Sequence, residues 1–399
     1  MLMALGLALA FALALVTDRG PWRVADQPSP GPTAPEAPLP PAAYTVPAGA
    51  LQVSTSAQLV SALAGTTPRD IVLADGVYDN PVSFANPNGH RLYAARLLGA
   101  TLTAGINVAS SSGQPGALVR GIAFDVADPA KASSGRVIFS WGTSRNTQVL
   151  DSTFNGHKVL TAAVWAYQPD GLVVQRVQIR DFTDWGVVAD NNVAGSTLAV
   201  PILIEDIDVA NISRAVPRTG GGMAEACVGI GNTATVRRVK ARNCAWMGVT
   251  TMNATGNSLL EDLDIDGGPA AGMPAGAGSQ GSVGLYIEHL TWNTTFQRMR
   301  IGPSLSYGVV CEGTDPNGAA WNGVSASIDN VIQDSTIESG QVGVLMGWAT
   351  TRTTTRRVTF RSQYVAAITD YLGVNNSYSG NDYSGILPGA LAVSSVWWR

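Results

Sequence analysis

Two glutamates at matching positions of neighbouring segments are the residues best placed to do chemistry. Glu288 and Glu312 each end a short apolar segment that opens with glycine, Gly284-Leu285 and Gly308-Val309. If the residue after each glycine points inward in a strand, alternation turns Tyr286, Glu288 and Glu312 outward. Adjacent parallel strands would then place the two glutamate backbones about 4.8 Å apart. At that spacing one carboxylate takes up a proton or the pair recruits a cation.

A close carboxylate pair fits two kinds of polysaccharide chemistry. In glycoside hydrolysis the two groups serve as acid and as nucleophile or base. In a lyase, Glu288 and Glu312, with Asp315 as a third ligand, would hold calcium that neutralises an acidic sugar before proton abstraction. Tyr286 and His289 are the candidate proton carriers. The structural alternative stays open, because an outward glutamate is often only solvated and the same alternation turns His289 inward, where a satisfied buried imidazole fits.

Aromatic side chains follow the same segments and would contact the substrate. Trp292, Trp321 and Trp348 come soon after these strands, where flat rings stack on sugar faces. Asp190, at the outward position of an earlier segment, is a further substrate-binding candidate. The Gly-rich residues 267–282 would wall the cleft. The alternative for each tryptophan is that it covers the edge of the core.

An internal repeat supplies the elements that position these residues. An apolar residue, a second one three positions later and a third five positions later recur with Gly-, Ser- and Asn-rich stretches between them, and units begin 22 to 36 residues apart. The ten triplets are Leu97/Ala100/Leu102, Val119/Ile122/Phe124, Val149/Ser152/Phe154, Val174/Val177/Ile179, Ile204/Ile207/Val209, Val236/Val239/Ala241, Leu260/Leu263/Ile265, Phe296/Met299/Ile301, Ile332/Ser335/Ile337 and Thr355/Val358/Phe360. A constant core with variable loops predicts a solenoid whose coils carry insertions.

Each unit continues into a second segment that begins with a small residue followed by an apolar one. These pairs are Gly186-Val187, Gly229-Ile230, Gly248-Val249, Gly284-Leu285, Gly308-Val309, Gly343-Val344 and Ala367-Ile368. Both segments are rich in β-branched residues and lack helical periodicity, which indicates short strands. The predicted coil is therefore strand, two-residue bend, strand, loop, strand and loop.

Charge provides an independent test of the stacking. Two residues after the first apolar position the sign alternates from coil to coil, through Asp151, Arg176, Asp206, Arg238, Asp262, Arg298, Asp334 and Arg357. The same alternation recurs in Asp208, Lys240, Asp264 and Arg300. Opposite charges on neighbouring parallel strands attract, so this ladder favours one register. We interpret these acids and bases as structural.

Capping segments are expected at both ends of the solenoid. Thr55–Leu63 combines an N-cap residue with apolar residues at helical spacing, Leu59, Val60 and Leu63, and predicts a short helix before a first strand over 70–77. Residues 377–398 are expected to cover the other end, because an open strand edge invites aggregation.

The chain after residue 50 resembles the pectin-lyase-like superfamily of right-handed parallel β-helices. The opening Ala57-Gln58-Leu59, followed by Asp70 to Tyr78, is similar to the start of alginate lyases and chondroitinase-B-like polysaccharide lyases. The resemblance implies an all-β, single-stranded right-handed parallel β-helix of about ten or more coils with a short N-terminal capping helix. It also implies an extracellular protein that acts on or binds polysaccharide. Those lyases use a Lys and Arg pair, but no lysine here matches a family motif, so no catalytic residue is carried over.

The N-terminal fifty residues predict export and a spacer. Leu2 to Val16 is apolar but shorter than the roughly 20 residues of a membrane span, so residues 1–20 are a predicted signal peptide or short membrane anchor. Residues 21–50 are Pro-rich and predict an extended linker, which would attach the β-helix over 51–399 to a membrane or cell wall. The whole protein is therefore expected to be secreted or exposed on the cell surface.

Net charge and cysteine content narrow the remaining possibilities. The net charge of −4 provides no basic field for nucleic acid, so no nucleic-acid partner is expected. Three cysteines are too few for a disulfide scaffold. Cys227 and Cys244 are near enough in sequence to bridge neighbouring coils, but we expect buried free thiols.

Two functions are compatible with these sequence features. The first is a polysaccharide lyase or glycoside hydrolase working in a cleft on the outward strand face, with calcium as the one cofactor considered. The second is a non-catalytic adhesin or glycan-binding module, including a receptor-binding spike. The sugar, the linkage and the oligomeric state are left open.

Overall fold

The computed structural model describes most of the chain from Tyr44 onward. The described residues are 44–65, 67–84, 89–109, 117–141, 146–190, 200–212, 226–252, 255–266, 282–288, 290–303, 305–312, 327–347, 350–371 and 373–396. The chain divides into two units, Met1–Ala37 and Pro38–Arg399, and every described residue belongs to the second. The predicted export segment lies outside the described residues.

Parallel strands in three sheets wind the chain into successive coils. Sheet A contains Leu51–Val53, Asp70–Leu73, Gly76–Tyr78, Arg91–Ala94, Ala100–Leu102, Leu118–Arg120, Ala123–Asp125, Gln148–Leu150, Thr153–Asn155, Val173–Phe182, Ile202–Ile212, Ala234–Cys244, Leu259–Asp266, Thr295–Gln297, Arg300–Ile301, Val331–Ile337, Thr354–Arg361, Ser377–Ser379 and Asp382–Gly385. Sheet B contains Val82–Phe84, Ile106–Ala109, Arg136–Trp141, Ala162–Tyr167, Trp185–Asp190, Ala226–Ile230, Met247–Thr251, Val283–Ile287, Tyr307–Cys311, Val342–Met346, Ala366–Asp370 and Leu391–Ser394. Sheet C contains Thr255–Gly256 and Thr291–Trp292. The helices in the described residues are α-helix Ser56–Leu63 and 3₁₀ turn Pro129–Lys131.

The fold class predicted from the sequence is confirmed, since the chain is an all-β parallel β-helix with an N-terminal helix. Sheet B contributes twelve strands in the described residues, each paired in parallel with the next along the chain. The first members of the triplets from Val119 to Thr355 stack in register, as in Val174 with Ile204 and Ile204 with Val236. The first triplet was wrong in one residue. Leu92, not the exposed Leu97, pairs with Val119 and is buried.

The charge ladder occupies a bend in the left-handed backbone region. Ladder residues have φ near +50°, for example 52° at Asp151, 54° at Arg176 and 51° at Arg298. Left-handed backbone disfavours residues other than glycine, so stacking must offset that cost at each bend. The predicted pairs form, with Asp206 2.6 Å from Arg238 and Asp334 2.6 Å from Arg357.

Glycine opens the strands of sheet B because the opposite sheet approaches closely there. A Cβ added at Gly308 would lie 2.3 Å from Ile337 Cγ2 and 2.5 Å from the carbonyl oxygen of Gly343. The residue at the glycine position of a sheet B strand and the residue that follows it both face the core. Cys227 and Val228 show this in the coil where cysteine replaces glycine. Glycine therefore marks a steric constraint in the coils that carry it at this position.

The coil that contains Cys227 has no glycine at this position, and two sequence predictions were wrong there. Cys227, not Gly229, precedes the residue that pairs with Val249, so the Gly229-Ile230 segment was placed two residues too late. Cys227 also forms a disulfide with Cys244, with 5.6 Å between Cα atoms, so these cysteines are not free thiols. In sheet A, Ala241 pairs with Ile265 at the level of the opposing side chains. The smaller alanine leaves room for two sulfur atoms in the core.

The two ends of the solenoid differ. Thr55 caps the N-terminal helix, and its side chain accepts a hydrogen bond from Gln58 N at 3.2 Å. Leu59, Ala62 and Leu63 are buried in the core, whereas Val60 is exposed, contrary to expectation. The helix thereby covers core residues of the first coil. The strand predicted over 70–77 is interrupted and forms Asp70–Leu73 and Gly76–Tyr78.

The C-terminal residues form a further coil, so the prediction that 377–398 caps the solenoid was wrong for the described part. Ser377–Ser379 and Asp382–Gly385 pair with Thr354–Arg361, and Leu391–Ser394 pairs with Ala366–Asp370. These residues continue the parallel ladder because their apolar side chains fill the same columns. Val393 stands in register with the buried Ile368 but is 45% exposed.

Tyr44 packs against the solenoid ahead of the first strand. Its hydroxyl donates to the carbonyl oxygen of Ala94 at 2.7 Å, and the Arg120 guanidinium lies 5.0 Å from the centre of its ring. The Pro-rich stretch therefore contributes at least this residue to the folded unit.

Candidate functional site

The predicted carboxylate pair lies at the ends of two adjacent strands of sheet B. Tyr286 pairs with Val310 and Ile287 with Cys311. The next rung continues this ladder, because Glu312 N donates to the carbonyl oxygen of Ile287 at 2.8 Å. Glu288 and Glu312 therefore occupy the same register position on neighbouring coils, about 4.8 Å apart along the axis.

Buried threonines hold the backbone of Glu288. Its N–H donates to Thr251 Oγ1 at 3.0 Å, and its carbonyl oxygen accepts from Thr291 Oγ1 at 2.8 Å. The two hydroxyl oxygens lie 2.8 Å apart, and both threonines are fully buried. The corner between sheets B and C thus fixes the position from which this carboxylate projects.

Tyr286 links the site through its hydroxyl group. The hydroxyl donates to Glu312 Oε2 at 2.9 Å. Burial, the hydrogen bond to Glu312 and the charges of Glu312 and Glu288 raise the pKa of Tyr286 far above its ordinary value. Tyr286 is therefore a protonated donor at neutral pH, which orients the Glu312 carboxylate.

Trp246 belongs to this cluster and was missed in the sequence analysis. Its ring centre lies 6.1 Å from that of Tyr286, and its Nε1 is buried with no hydrogen-bond partner among the described residues. The residue precedes the strand Met247–Thr251, which pairs with the strand that carries Tyr286. Its place two residues before Gly248 was the sequence signal that Trp246 lies next to a strand of sheet B. Only the structure shows that its ring lies beside Tyr286.

Several outward-facing side chains of sheet B are buried. Val188, Val310 and Leu345 point outward as predicted, yet they are buried in an apolar cluster with Trp185 and Tyr307. Apolar outward residues gain free energy when they leave water. Half-buried polar groups remain at the strand ends, where Glu288 and Glu312 stand.

The other described candidates lie apart from the pair. Asp190 occupies the same column three coils away, about 14 Å along the axis. Burial raises the pKa of Asp190 to about 6, against the opposing effect of Arg136. Trp292 lies in sheet C, where its indole leaves no space for a Cβ at Gly256, and it remains half-buried.

Four predicted residues and one loop lie outside the described residues. They are His289, Asp315, Trp321, Trp348 and the Gly-rich residues 267–281. Their proposed roles remain predictions.

The described residues of the pair do not make a calcium site by themselves. Calcium takes about six to eight oxygen ligands. Within the described ranges, no three His, Cys, Asp or Glu side chains come together as ligands.

Comparison with known proteins relates the chain to others by fold. Neither a protein-family model nor a curated protein matches the sequence. The catalytic unit of the GH87 α-1,3-glucanase from Streptomyces thermodiastaticus is 12% identical, with a TM-score of 0.52 over 90% of this chain and 72% of its own. PfbA, a surface adhesin of Streptococcus pneumoniae, is 10% identical, with a TM-score of 0.52 over 82% of this chain and 88% of its own.

A third solved structure, an alginate lyase from a Paenibacillus species, is 12% identical, with a TM-score of 0.39 over 86% of this chain and 99% of its own. At such identities the glucanase and the adhesin show the fold that this chain shares with them. The narrower resemblance to alginate lyases and chondroitinase-B-like lyases stays a prediction. In the described part of the chain, no helix has the length and hydropathy needed to span a membrane.

Proposed function

We propose that this protein is an exported polysaccharide-active enzyme that hydrolyses glycosidic bonds at Glu288 and Glu312. The observation that carries the proposal is the hydrogen bond from Tyr286 to Glu312, beside a glutamate at the matching position of the next coil. Hydrolysis needs one carboxyl group to protonate the leaving oxygen and a second to act as nucleophile or base. Two glutamates one coil apart supply both groups.

The charge of the site and the protonated Tyr286 support hydrolysis in this proposal. A lyase needs a base that removes a proton next to a sugar carboxylate, and the raised pKa of Tyr286 keeps this residue protonated, so Tyr286 is not that base at neutral pH. Two neighbouring glutamates would also repel a uronate seated between them. The sugar at the bond to be cut is therefore neutral in this proposal.

Export is supported by the disulfide as well as by the N-terminal sequence. The Cys227–Cys244 bond is of a kind that persists in oxidising compartments and is rare in the cytosol. Long polysaccharides are substrates found outside the cell, so the proposed location and the proposed substrate agree.

The test is turnover of a glycan panel by the full-length protein. Neutral α- and β-glucans, xylan and mannan are compared with alginate and pectate, with reducing ends and unsaturated uronate measured in parallel. We expect reducing ends from at least one neutral glycan and no unsaturated product. Glu312→Gln should lower kcat about 100-fold or more.

Glu338→Gln is the matched control, because Glu338 is a half-buried carboxylate beyond a strand of sheet A. It should leave kcat unchanged. Unsaturated product from a uronan, no product from any neutral glycan, or an unchanged kcat in Glu312→Gln would each contradict the proposal.

One observation favours a non-catalytic glycan-binding module as the second candidate. The outward side chains of sheet B are buried over much of the face, which leaves a restricted area for a long substrate. Glycan binding without turnover that survives Glu288→Gln and Glu312→Gln would support this alternative over the hydrolase.

A further inference from the structure

Before it enters the solenoid, the chain contacts strands that lie well inside sheet A. Tyr44 precedes the first strand, Leu51–Val53, but its hydroxyl donates to the carbonyl oxygen of Ala94 at 2.7 Å. The same hydroxyl lies 3.3 Å from the carbonyl oxygen of Arg120. Ala94 and Arg120 end the third and fourth strands of the stack that Leu51–Val53 begins. Tyr44 therefore reaches past the strand that pairs with the first one.

A notch at Gly121 receives the Tyr44 side chain. Gly121 has φ 73°, and a Cβ added there would lie 2.5 Å from Tyr44 Oη. A larger residue would collide with the phenol, so glycine leaves the space that Tyr44 fills. In the next coil this position belongs to Asp151, where the charge ladder begins. The Arg120 guanidinium lies 5.0 Å from the centre of the Tyr44 ring, at cation–π distance.

The notch adjoins outward residues of sheet A that are buried. Val72 and Tyr93 alternate with core residues along the second and third strands and so face outward, yet they are 1% and 6% exposed. Burial raises the pKa of Tyr44 to about 12, Arg120 opposes the rise, and Asp151 and Tyr93 add to it. Tyr44 is therefore part of a buried contact on the outer face of sheet A.

The first coil is the part of the N-terminal end that opens most easily. In the described residues Leu51–Val53 pairs with Asp70–Leu73, which pairs on its other side with Arg91–Ala94. A terminal strand with one neighbour opens at a smaller cost in free energy than an inner strand with two. With Tyr44 fixed, a segment released before Asp70 is a loop closed at both ends, which gains less conformational entropy than a free tail. Tyr44 thus makes the first coil harder to open.

A pull from the N-terminal side reaches Tyr44 before it reaches the first strand. The contacts of Tyr44 pass that force to the third and fourth strands, each of which is paired on both sides. Without these contacts the same pull would act on Leu51–Val53 and detach the strands one at a time.

We propose that Tyr44 is the anchor by which the preceding chain holds this solenoid. A pull through the predicted linker then acts on the third and fourth strands of sheet A, and the first coil stays closed. The anchor does not involve Glu288 or Glu312, so this inference is independent of the proposed hydrolysis.

Hydrogen exchange on the full-length protein measures how readily the first coil opens. In Tyr44→Ala the backbone amides of Leu51–Val53 and Ser56–Leu63 should exchange at least about tenfold faster than in wild type. Amides of Thr354–Arg361, near the other end of the solenoid, should exchange at the wild-type rate. Tyr364→Ala is the matched control, because it removes a tyrosine that is 58% exposed and should leave the N-terminal amides unchanged.

Force spectroscopy tests where a pull acts. The full-length protein is pulled in an optical trap between its N-terminus and a handle on Asn257→Cys, an exposed position in a bend. Cys311 is buried and the other two cysteines form the disulfide, so the handle attaches at residue 257. The first unfolding step should require less force when Tyr44→Ala is added.

Unchanged exchange of the N-terminal amides in Tyr44→Ala, or an equal first-step force with and without Tyr44, would each overturn the anchor. If Tyr44→Ala does not fold, Tyr44→Phe decides the question, because it keeps the ring beside Arg120 and loses the hydrogen bond to Ala94. It should exchange faster than wild type at Leu51–Val53, and wild-type rates there would overturn the anchor. Neither measurement involves glycan turnover, so a failure of the anchor leaves the proposed function standing, and a failure of hydrolysis leaves the anchor standing.

Discussion

Tyr286 keeps its proton because several effects act on its hydroxyl group in the same direction. The side chain is 9% exposed, its hydroxyl donates to Glu312, and Glu288 adds a second negative charge nearby. Each effect disfavours tyrosinate. At the scale of single residues, the site therefore combines two carboxyl groups with a phenol that keeps its proton.

Replacing Tyr286 by phenylalanine tests this arrangement. The difference spectrum between wild type and Tyr286→Phe should show no tyrosinate band at about pH 11, since the pKa of Tyr286 lies far above its ordinary value. The variant should fold normally and lose about tenfold in kcat, because Glu312 loses its orienting hydrogen bond. A tyrosinate band with a midpoint near the ordinary pKa of about 10 would contradict the assignment.

At the scale of elements, the bend between the strands of sheet A combines an unfavourable backbone with stacked charges. The ladder is not uniform along the axis. Asp151 is 4% exposed and accepts from Arg120 at 2.6 Å and Arg176 at 2.5 Å, whereas Asp334 is exposed and pairs with Arg357. Removal of the carboxylate should therefore cost more free energy at the buried position than at the exposed one.

Asp151→Ala and Asp334→Ala compare the loss of a buried ladder carboxylate with the loss of an exposed one. Asp151→Ala leaves two half-buried guanidinium groups without their carboxylate and should lower the free energy of unfolding by about 3 kcal/mol. Asp334→Ala should leave the urea midpoint nearly unchanged, since exposed pairs contribute little. Equal effects of the two substitutions would show that the ladder acts uniformly.

The glycine position of sheet B provides a second test at this scale. In Gly308→Ala the new methyl group would lie 2.3 Å from Ile337 Cγ2, so the two sheets must separate locally. We expect a loss of roughly 1–3 kcal/mol in the free energy of unfolding. Gly340→Ala is the control, because the nearest atom to its Cβ lies 3.6 Å away. An unperturbed urea midpoint in Gly308→Ala would contradict the steric explanation.

At the scale of the whole molecule, successive coils share one core, which the N-terminal helix covers at the first coil. The last described coil leaves Val393 partly exposed in the core column. Between the ends, the Cys227–Cys244 disulfide joins sheet B to sheet A within the solenoid. The bridge closes a short loop and constrains the unfolded chain.

The disulfide should be detectable in the number of free thiols and in the free energy of unfolding. Protein unfolded without reductant should show about one thiol per chain, that of Cys311, and about three after reduction. The double variant Cys227→Ala/Cys244→Ala should lose about 3 kcal/mol of unfolding free energy, as expected for a loop of 17 residues. Cys311→Ala is the control for removing a buried thiol, and three thiols without reductant would contradict the bridge.

The sequence by itself determined the coil, its register and the pairing of Glu288 with Glu312. Parallel stacking repeats the same local environment in every coil, so apolar triplets, alternating charges and strand parity carry that information without knowledge of distant contacts. Leu97 and Gly229 were misplaced because the pattern alone does not separate neighbouring small or apolar residues within a loop of variable length.

The tertiary structure decided the features that depend on contacts across the coil or between loops and sheet. The disulfide depends on Cys227 of sheet B meeting Cys244 at the end of a strand of sheet A, and burial of Val188 and Leu345 depends on what covers the outward face. Trp246 beside Tyr286, and Arg136 over Trp165, come from side-chain directions on different coils. Such contacts follow from three-dimensional packing, which a repeat with loops of unequal length does not encode in its spacing.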